Sequence, residues 1–204
     1  MAEEVAEGEA MTPAVLQATS EEVQIKKCGK AVSITDEAML SAYGDPINEI
    51  GNQLLVAMAD KIETDLYAEM RKATKEVAVE AFDKNVVADA LAEFGEDLDG
   101  NIFLFINAKQ FAVLRKVPDF IAVDNGILTG ARGMLHGAIV VVSNRVAEKE
   151  AFVMKENALA LILKRNVMVE ADRDILKGEN VYACNEHYAV QLRYDNKVVK
   201  VKIA

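Results

Sequence analysis

The sequence predicts an α+β fold organised around one unusually long helix. Three observations carry this: apolar residues recur on a single helical stripe from Ile47 to Met70, two apolar runs of strand length lie mid-chain, and the last quarter alternates apolar and polar residues between turn signals. With 204 residues and 51% hydrophobic content, the chain can bury a sizeable core in one or two domains.

Residues 1–22 carry Glu3, Glu4, Glu7, Glu9, Glu21 and Glu22 without a Lys or Arg, and show no sustained alternation. The stretch "VQIKKCGKAVSITDEAML" at 23–40 then reads as a strand, broken at Gly29, that runs into acidic helix-start chemistry. Nothing before it resembles a pairing partner, and a lone strand pair is marginal in water. The expectation is an exposed arm whose partner is missing from the chain.

Residues 45–75 give the clearest helix. Asp45 and Pro46 form an N-cap followed by an N1 proline, and Ile47, Ile50, Leu54, Met58, Ile62, Leu66 and Met70 line one stripe. At ~1.5 Å per residue this is a rod of about 45 Å, a spine for other elements to lean on. Leu66→Ala on the stripe is expected to cost roughly 2 to 5 kcal/mol if buried, and the same change at Glu63 little. A loop follows over 74–83, then a short helix capped by Asn85 and ended near Gly95. "IFLFI" at 102–106 is a buried strand, and "NAKQFAVLRKV" a helix capped by Asn107. From Pro118 to Gly137, four glycines without a periodic stripe predict a long surface loop, and "AIVVVSNRV" returns as a buried strand. "AFVMK" and "ALALIL" are short apolar runs. "NVMVEADRDI", "YACNEHYAVQLRY" and "KVVKVKIA", separated by "KGEN" and "YDNK", predict an antiparallel meander of three strands.

Few residues point to chemistry. Glu170, Asp172 and Asp174 share one strand face, as a metal site would need, but Lys200 and Lys202 offer the simpler reading of charge pairs across a solvated sheet. Calcium would also want loop carbonyls. His136 and His187 lie in different segments without a placed nucleophile, so no triad is implied. "DLDGN" at 97–101 lacks the rest of a calcium loop and reads as a helix-to-strand turn. "GARGMLHG" at 130–137 lacks both phosphate-binding glycine patterns and precedes a strand. Cys28 and Cys184 are far apart in sequence and read as ordinary thiols. The expected catalytic, cofactor-binding and metal residues are therefore none, and no cofactor is expected.

No apolar run reaches the length of a bilayer span, and no signal peptide is visible, so a soluble chain made inside the cell is expected. A formal charge of −10 argues against a general affinity for nucleic acid.

Five motifs in one order then resemble a known family: "IKKCGKAVSITDEAML" leading into the long helix, "IFLFINAKQFAVLRK", "GMLHGAIVVVSNRV", "AFVMKENALALILKRNVMVEADRDIL" and "HYAVQLRYDNKVVKVKIA". Together they are similar to the major capsid proteins of tailed phages with the Hong Kong 97-type fold, which encapsulins share. The resemblance implies a long spine helix, a peripheral antiparallel sheet and an axial α/β domain. Laid on this chain, 1–43 is a remnant of the extended loop with its returning strand, 44–82 holds the spine, 83–160 is axial, and 161–204 supplies the peripheral strands. The unpaired strand would then be partnered by a reduced arm in residues 1–22, or by a segment removed from this chain.

The resemblance further implies a non-enzymatic homo-oligomer. Pentamers and hexamers would close an icosahedral phage head around double-stranded DNA bound without sequence specificity, with scaffolding and portal proteins as partners and no membrane. Its place would be the virion, after assembly in the bacterial host cytoplasm. An encapsulin-type cargo shell is the alternative within the fold, and a small-molecule enzyme using 118–137 as a lid is the alternative outside it.

Overall fold

A computed structural model describes residues 8, 22–122 and 131–204. In chain order the elements are β1 (Lys26–Thr35), α1 (Asp36–Ser41), α2 (Pro46–Met70), β2 (Glu76–Val79), α3 (Lys84–Ala92), β3 (Ile102–Ile106), α4 (Ala108–Leu114), β4 (Ile121–Ala122), β5 (Ala131–Leu135), β6 (Ala138–Val142), β7 (Glu150–Lys155), β8 (Leu159–Asp174), β9 (Glu179–Leu192) and β10 (Val198–Ile203). They form two sheets. One has three strands in the order β1-β9-β8, and the other seven in the order β2-β10-β7-β3-β6-β5-β4. No helix among the described residues is long and apolar enough to cross a membrane.

The spine is present as α2. The Asp45 carboxylate accepts from the N–H groups of Ile47 and Asn48, and Pro46 opens the helix without wasting a donor. At ~1.5 Å per residue its 25 residues span about 37 Å. It stops at Met70, short of the expected end, because tertiary contacts take over: the Thr74 N–H donates to Asp195 Oδ1 at 2.8 Å and the chain enters β2.

The helix serves both sheets. Its Ile50, Leu54 and Met58 pack with Cys184 and against Cys28, Val32, Ile34, Val167 and Tyr182 of the three-stranded sheet. Farther along, Tyr67 and Met70 pack with Phe152 and Val198 of the seven-stranded sheet, where the Tyr67 ring meets Phe105 edge-on at 5.9 Å. The largest core lies on the opposite face of that sheet. There Val86, Val87 and Ala90 of α3 and Leu114 of α4 cover Leu104, Val153 and Val199.

Pairing corrects several expectations. The partner of β1 is β9, antiparallel from Lys26↔Tyr188 to Thr35↔Glu179, so the strand needs neither residues 1–22 nor a removed segment to pair. The meander stops at two strands. β10 leaves β8 and β9 and enters the other sheet, parallel to β2 and antiparallel to β7. β2 itself lies inside the stretch expected to be loop. Its four residues, Glu76 to Val79, carry too little periodicity to be seen locally and become a strand by pairing with β10. "ALALIL" and "NVMVEADRDI" are one 16-residue strand, with register irregularities between Leu163 and Met168 absorbing the basic "KRN".

The cap of α3 is Asp83 rather than Asn85: its carboxylate accepts from the Asn85 and Val86 N–H groups. Asn107 caps α4 as expected, in a reciprocal box with Gln110. The expected loop 118–137 contains β4 and β5, which pair with each other, while β5 also joins β6 through a turn at His136 (φ 49°) and Gly137 (φ 82°). Residues 123–130 of that loop lie outside the described residues.

Candidate functional site

Where α2 crosses the three-stranded sheet, one acidic side chain faces inward. Asp65, 6% exposed, accepts hydrogen bonds from Lys61 Nζ at 2.6 Å, Tyr188 OH at 2.8 Å and Lys26 Nζ at 3.0 Å. The carboxylate thus ties together α2, β9 and β1. Burial pushes its pKa up, but donation from Lys61, Tyr188 and Lys26 outweighs this and holds the group below the usual carboxylate range. Burial and the same hydrogen bond push the Tyr188 phenol well up. Beneath the helix, in register with Cys28, sits Glu186, 2% exposed, with Oε1 unpartnered among the described residues; burial raises its pKa.

Sequence reasoning missed this joint. Its signal was a carboxylate at position 65, beside the apolar stripe and four residues after a lysine.

A second set of charges fixes the far half of α2. Arg145, in the β6–β7 connection, pairs with both Asp60 and Glu63, and Arg71 forks onto Glu150 while donating to the Arg145 carbonyl at 2.9 Å. Each sheet is therefore clamped to the same helix by apolar packing and by ion pairs.

The residues weighed for chemistry are dispersed by this fold. Glu170, Asp172 and Asp174 lie along β8 opposite Ala183, Val181 and Glu179, and Asp174 accepts from the Leu176 and Lys177 N–H groups in the hairpin turn. Their expected partners are elsewhere: Lys200 and Lys202 both pair with Glu76 across β10 and β2, at 3.0 and 2.7 Å. His136 occupies the β5–β6 turn, while His187 lies on β9 in the other sheet.

Asp97, in the "DLDGN" turn, holds the buried Lys155 ammonium through its side chain and, at 2.8 Å, its carbonyl. Gly133, in "GARGMLHG", answers to packing: a Cβ there would lie 2.3 Å from Phe120 Cζ and 2.7 Å from the Ile121 carbonyl. Cys28 and Cys184 are free thiols that meet in the packing under α2, the latter donating to the Leu54 carbonyl at 3.8 Å.

What the fold does present is surface. At the end of the three-stranded sheet, Arg173 forks onto Asp36 at 2.7 and 2.9 Å, and the Asp36 N–H donates to the Gly178 carbonyl, pinning α1 against the β8–β9 hairpin. Around this rigid point Leu40, Tyr43, Ile175 and Leu176 are each more than 80% exposed. Leu40 and Tyr43 lie at and just after the end of α1, and Ile175 and Leu176 in the β8–β9 hairpin that α1 is pinned to, so four large side chains are left open to solvent near this point.

Comparison with known proteins gives the family. The family model for phage capsid proteins matches residues 18–200. The major capsid protein of Staphylococcus phage phiMR11 is 34% identical over 207 residues, covering 98% of this chain and 75% of the relative. Among solved structures, the capsid of an empty GTA particle superposes with a TM-score of 0.74 at 15% identity, covering 98% of this chain and 81% of that one. The SrpI encapsulin of Synechococcus elongatus superposes with a TM-score of 0.69 at 12% identity over 87% and 73% of the two chains. With a sequence match over nearly its whole length and an α+β architecture shared with Hong Kong 97-type shells, this chain belongs to the phage capsid protein family.

Proposed function

We propose that the chain is the repeating subunit of an icosahedral phage head, assembling with itself into pentamers and hexamers around double-stranded DNA without catalysing a reaction. The observation that carries this is the 34% identity to a phage major capsid protein along 98% of the chain. The four exposed apolar residues at the β8–β9 corner support it, because a shell needs surfaces that only a neighbour can cover. The three-stranded sheet with the first half of α2 serves as the peripheral domain, and the seven-stranded sheet with α3 and α4 as the axial one. β10 goes with the axial domain, so the peripheral strands near the chain end are β8 and β9 rather than all of 161–204.

Scaffolding and portal proteins are its partners during assembly, in the host cytoplasm, from a phage or prophage gene. The net charge of −10 suits a wall that encloses DNA without gripping it. The encapsulin reading rests on fold likeness at 12% identity, whereas the sequence match lies on the phage side. The enzyme reading needed 118–137 as a lid, and the described part of that stretch is a sheet edge. Electron microscopy of the purified protein tests the proposal: closed shells or capsomer rings are expected, and a strictly monomeric particle at high concentration would overturn it.

A further inference from the structure

The three-stranded sheet has one face against α2 and one face bare. On β1, Cys28, Val32 and Ile34 turn toward the helix, so Lys27, Gly29 and Ala31 turn away and are exposed. Near the start of β1 the bare face is basic. Lys27 stands in register with His187 of β9, and His187 with Arg165 of β8, which sets the three side chains in one row across the sheet. Lys164, in the irregular stretch of β8, adds a fourth basic group, and burial together with Arg165, Lys27 and Lys164 holds the imidazole below its usual pKa. Like charges on neighbouring strands repel, yet among the described residues no ion pair involves Lys27, Lys164 or Arg165. His187 Nδ1 and the neighbouring Asn185 Oδ1 are buried without hydrogen-bond partners among the described residues.

The sheet's own carboxylates do not answer this row. Asp65 and Glu186 belong to the opposite face, under α2. Glu170 and Asp172 share the bare face but stand opposite Ala183 and Val181, four and six residues along β9 from His187. At ~3.3 Å per residue that is about 13 and 20 Å, too far to neutralise the row. The stretch upstream of β1 is better supplied. Glu3, Glu4, Glu7 and Glu9 place four carboxylates within seven residues, and no Lys or Arg precedes Lys26. Glu9 lies eighteen residues before Lys27, a tether of at most ~60 Å, against ~10 Å across the three strands of the row. A tether that spans its sites easily holds the two groups together at an effective concentration on the order of millimolar. Glu22, at the near end of the tether, is exposed and makes no ion pair among the described residues, so the cluster at 3–9 carries the charge with the reach.

We propose that Glu3, Glu4, Glu7 and Glu9 dock on the bare face of their own chain's three-stranded sheet, laying their carboxylates over Lys27, Lys164, Arg165 and His187. Four acidic groups meet four basic ones, and the tether selects them over an acidic surface elsewhere. Exposed pairs of this kind are individually weak, so the docking holds by tether and number and is released by salt. Duplex DNA would suit the row but also meets Glu170 and Asp172 on the same face and a chain of net charge −10. While docked, the cluster closes the row to other polyanions. None of this depends on whether a shell forms.

His136 and His187 are the only histidines, so each imidazole can be followed by NMR on unassembled full-length subunits. At low salt His187 should titrate at higher pH in the wild type than in a chain carrying Glu3→Gln, Glu4→Gln, Glu7→Gln and Glu9→Gln, because nearby carboxylates favour the imidazolium. His136, in the other sheet, should titrate alike in both. At ~1 M salt, where the Debye length is ~3 Å, the difference at His187 should vanish. Equal titration of His187 in the two chains at low salt would overturn the proposal. Independently of any variant, carbodiimide treatment of mixed heavy- and light-isotope wild-type subunits should join Lys27 or Lys164 to Glu3, Glu4, Glu7 or Glu9 within one chain. Links from these lysines only between copies, or only to other carboxylates, would give the row to a different occupant and overturn it. So would a gel shift of wild-type subunits with duplex DNA at physiological salt that Lys27→Glu with Arg165→Glu abolishes, since the row would then stand open.

Discussion

Asp65 and Glu186 face the same packed layer under α2 and oppose each other in their response to acid. Asp65 has a folded pKa below its unfolded value, so its contribution to stability is present above about pH 4 and is lost as pH falls through the folded value. Glu186 has a folded pKa above its unfolded value. The unfolded chain releases that proton first, so stability falls as pH rises from about 4.3 toward the folded pKa. Urea midpoints measured against pH should show Asp65→Asn destabilised by about 1 to 3 kcal/mol at pH 7, with Lys26, Lys61 and Tyr188 left facing a weaker acceptor, and the gap to wild type closing as pH falls through the folded pKa of Asp65. Glu186→Gln should be more stable than wild type at pH 7 and indistinguishable from it at pH 4. At Gly133 the argument is steric: Gly133→Ala should cost about 1 to 3 kcal/mol, since the added methyl meets the Phe120 ring and a backbone oxygen. A neutral outcome in thermal melts would mean that β4 can shift away from β5.

Among the elements, α2 decides most of the architecture. Leu54 is fully buried, so Leu54→Ala should cost roughly 2 to 5 kcal/mol in a denaturation series. Leu66, on the stripe but only half-buried, should cost less than Leu54, and Glu63→Ala should lose only one exposed pair with Arg145. The spine, β3 and the Asn107-capped α4 were legible in the sequence because their signals are local: a long stripe, an unbroken apolar run, a cap three residues before its glutamine. β2 and the destination of β10 were not, because a four-residue strand and a choice between two sheets depend on partners more than 100 residues away. The same holds for the joint at Asp65. A carboxylate on a helix reads as solvated until a lysine from β1 and a tyrosine from β9 are brought over it. Lys200 and Lys202 were misassigned for the same reason, since β10 could not be routed by its own alternation.

At the scale of the whole molecule, two sheets share one helix and expose an apolar corner. Leu176→Asp should leave the melting temperature of the subunit unchanged, because the side chain is 98% exposed, while sharply reducing the yield of shells seen by electron microscopy. Equal loss of both would show that the corner matters to folding rather than to assembly. The pairing of β1 with β9 has a further consequence, in the time domain of synthesis. Lys26 meets Tyr188 and Glu76 meets Lys200, so a strand made near the start of each sheet waits for one made near the end. At ~5 to 20 residues per second, the ribosome leaves β1 and β2 without partners for on the order of 10 s, during which the first half of the helix between them lacks the three-stranded sheet it packs on. Neither sheet can close until β9 and β10 have been made. A subunit thus reaches its paired shape only once β9 and β10 have been made, which keeps chains that still lack them from presenting finished sheets to one another.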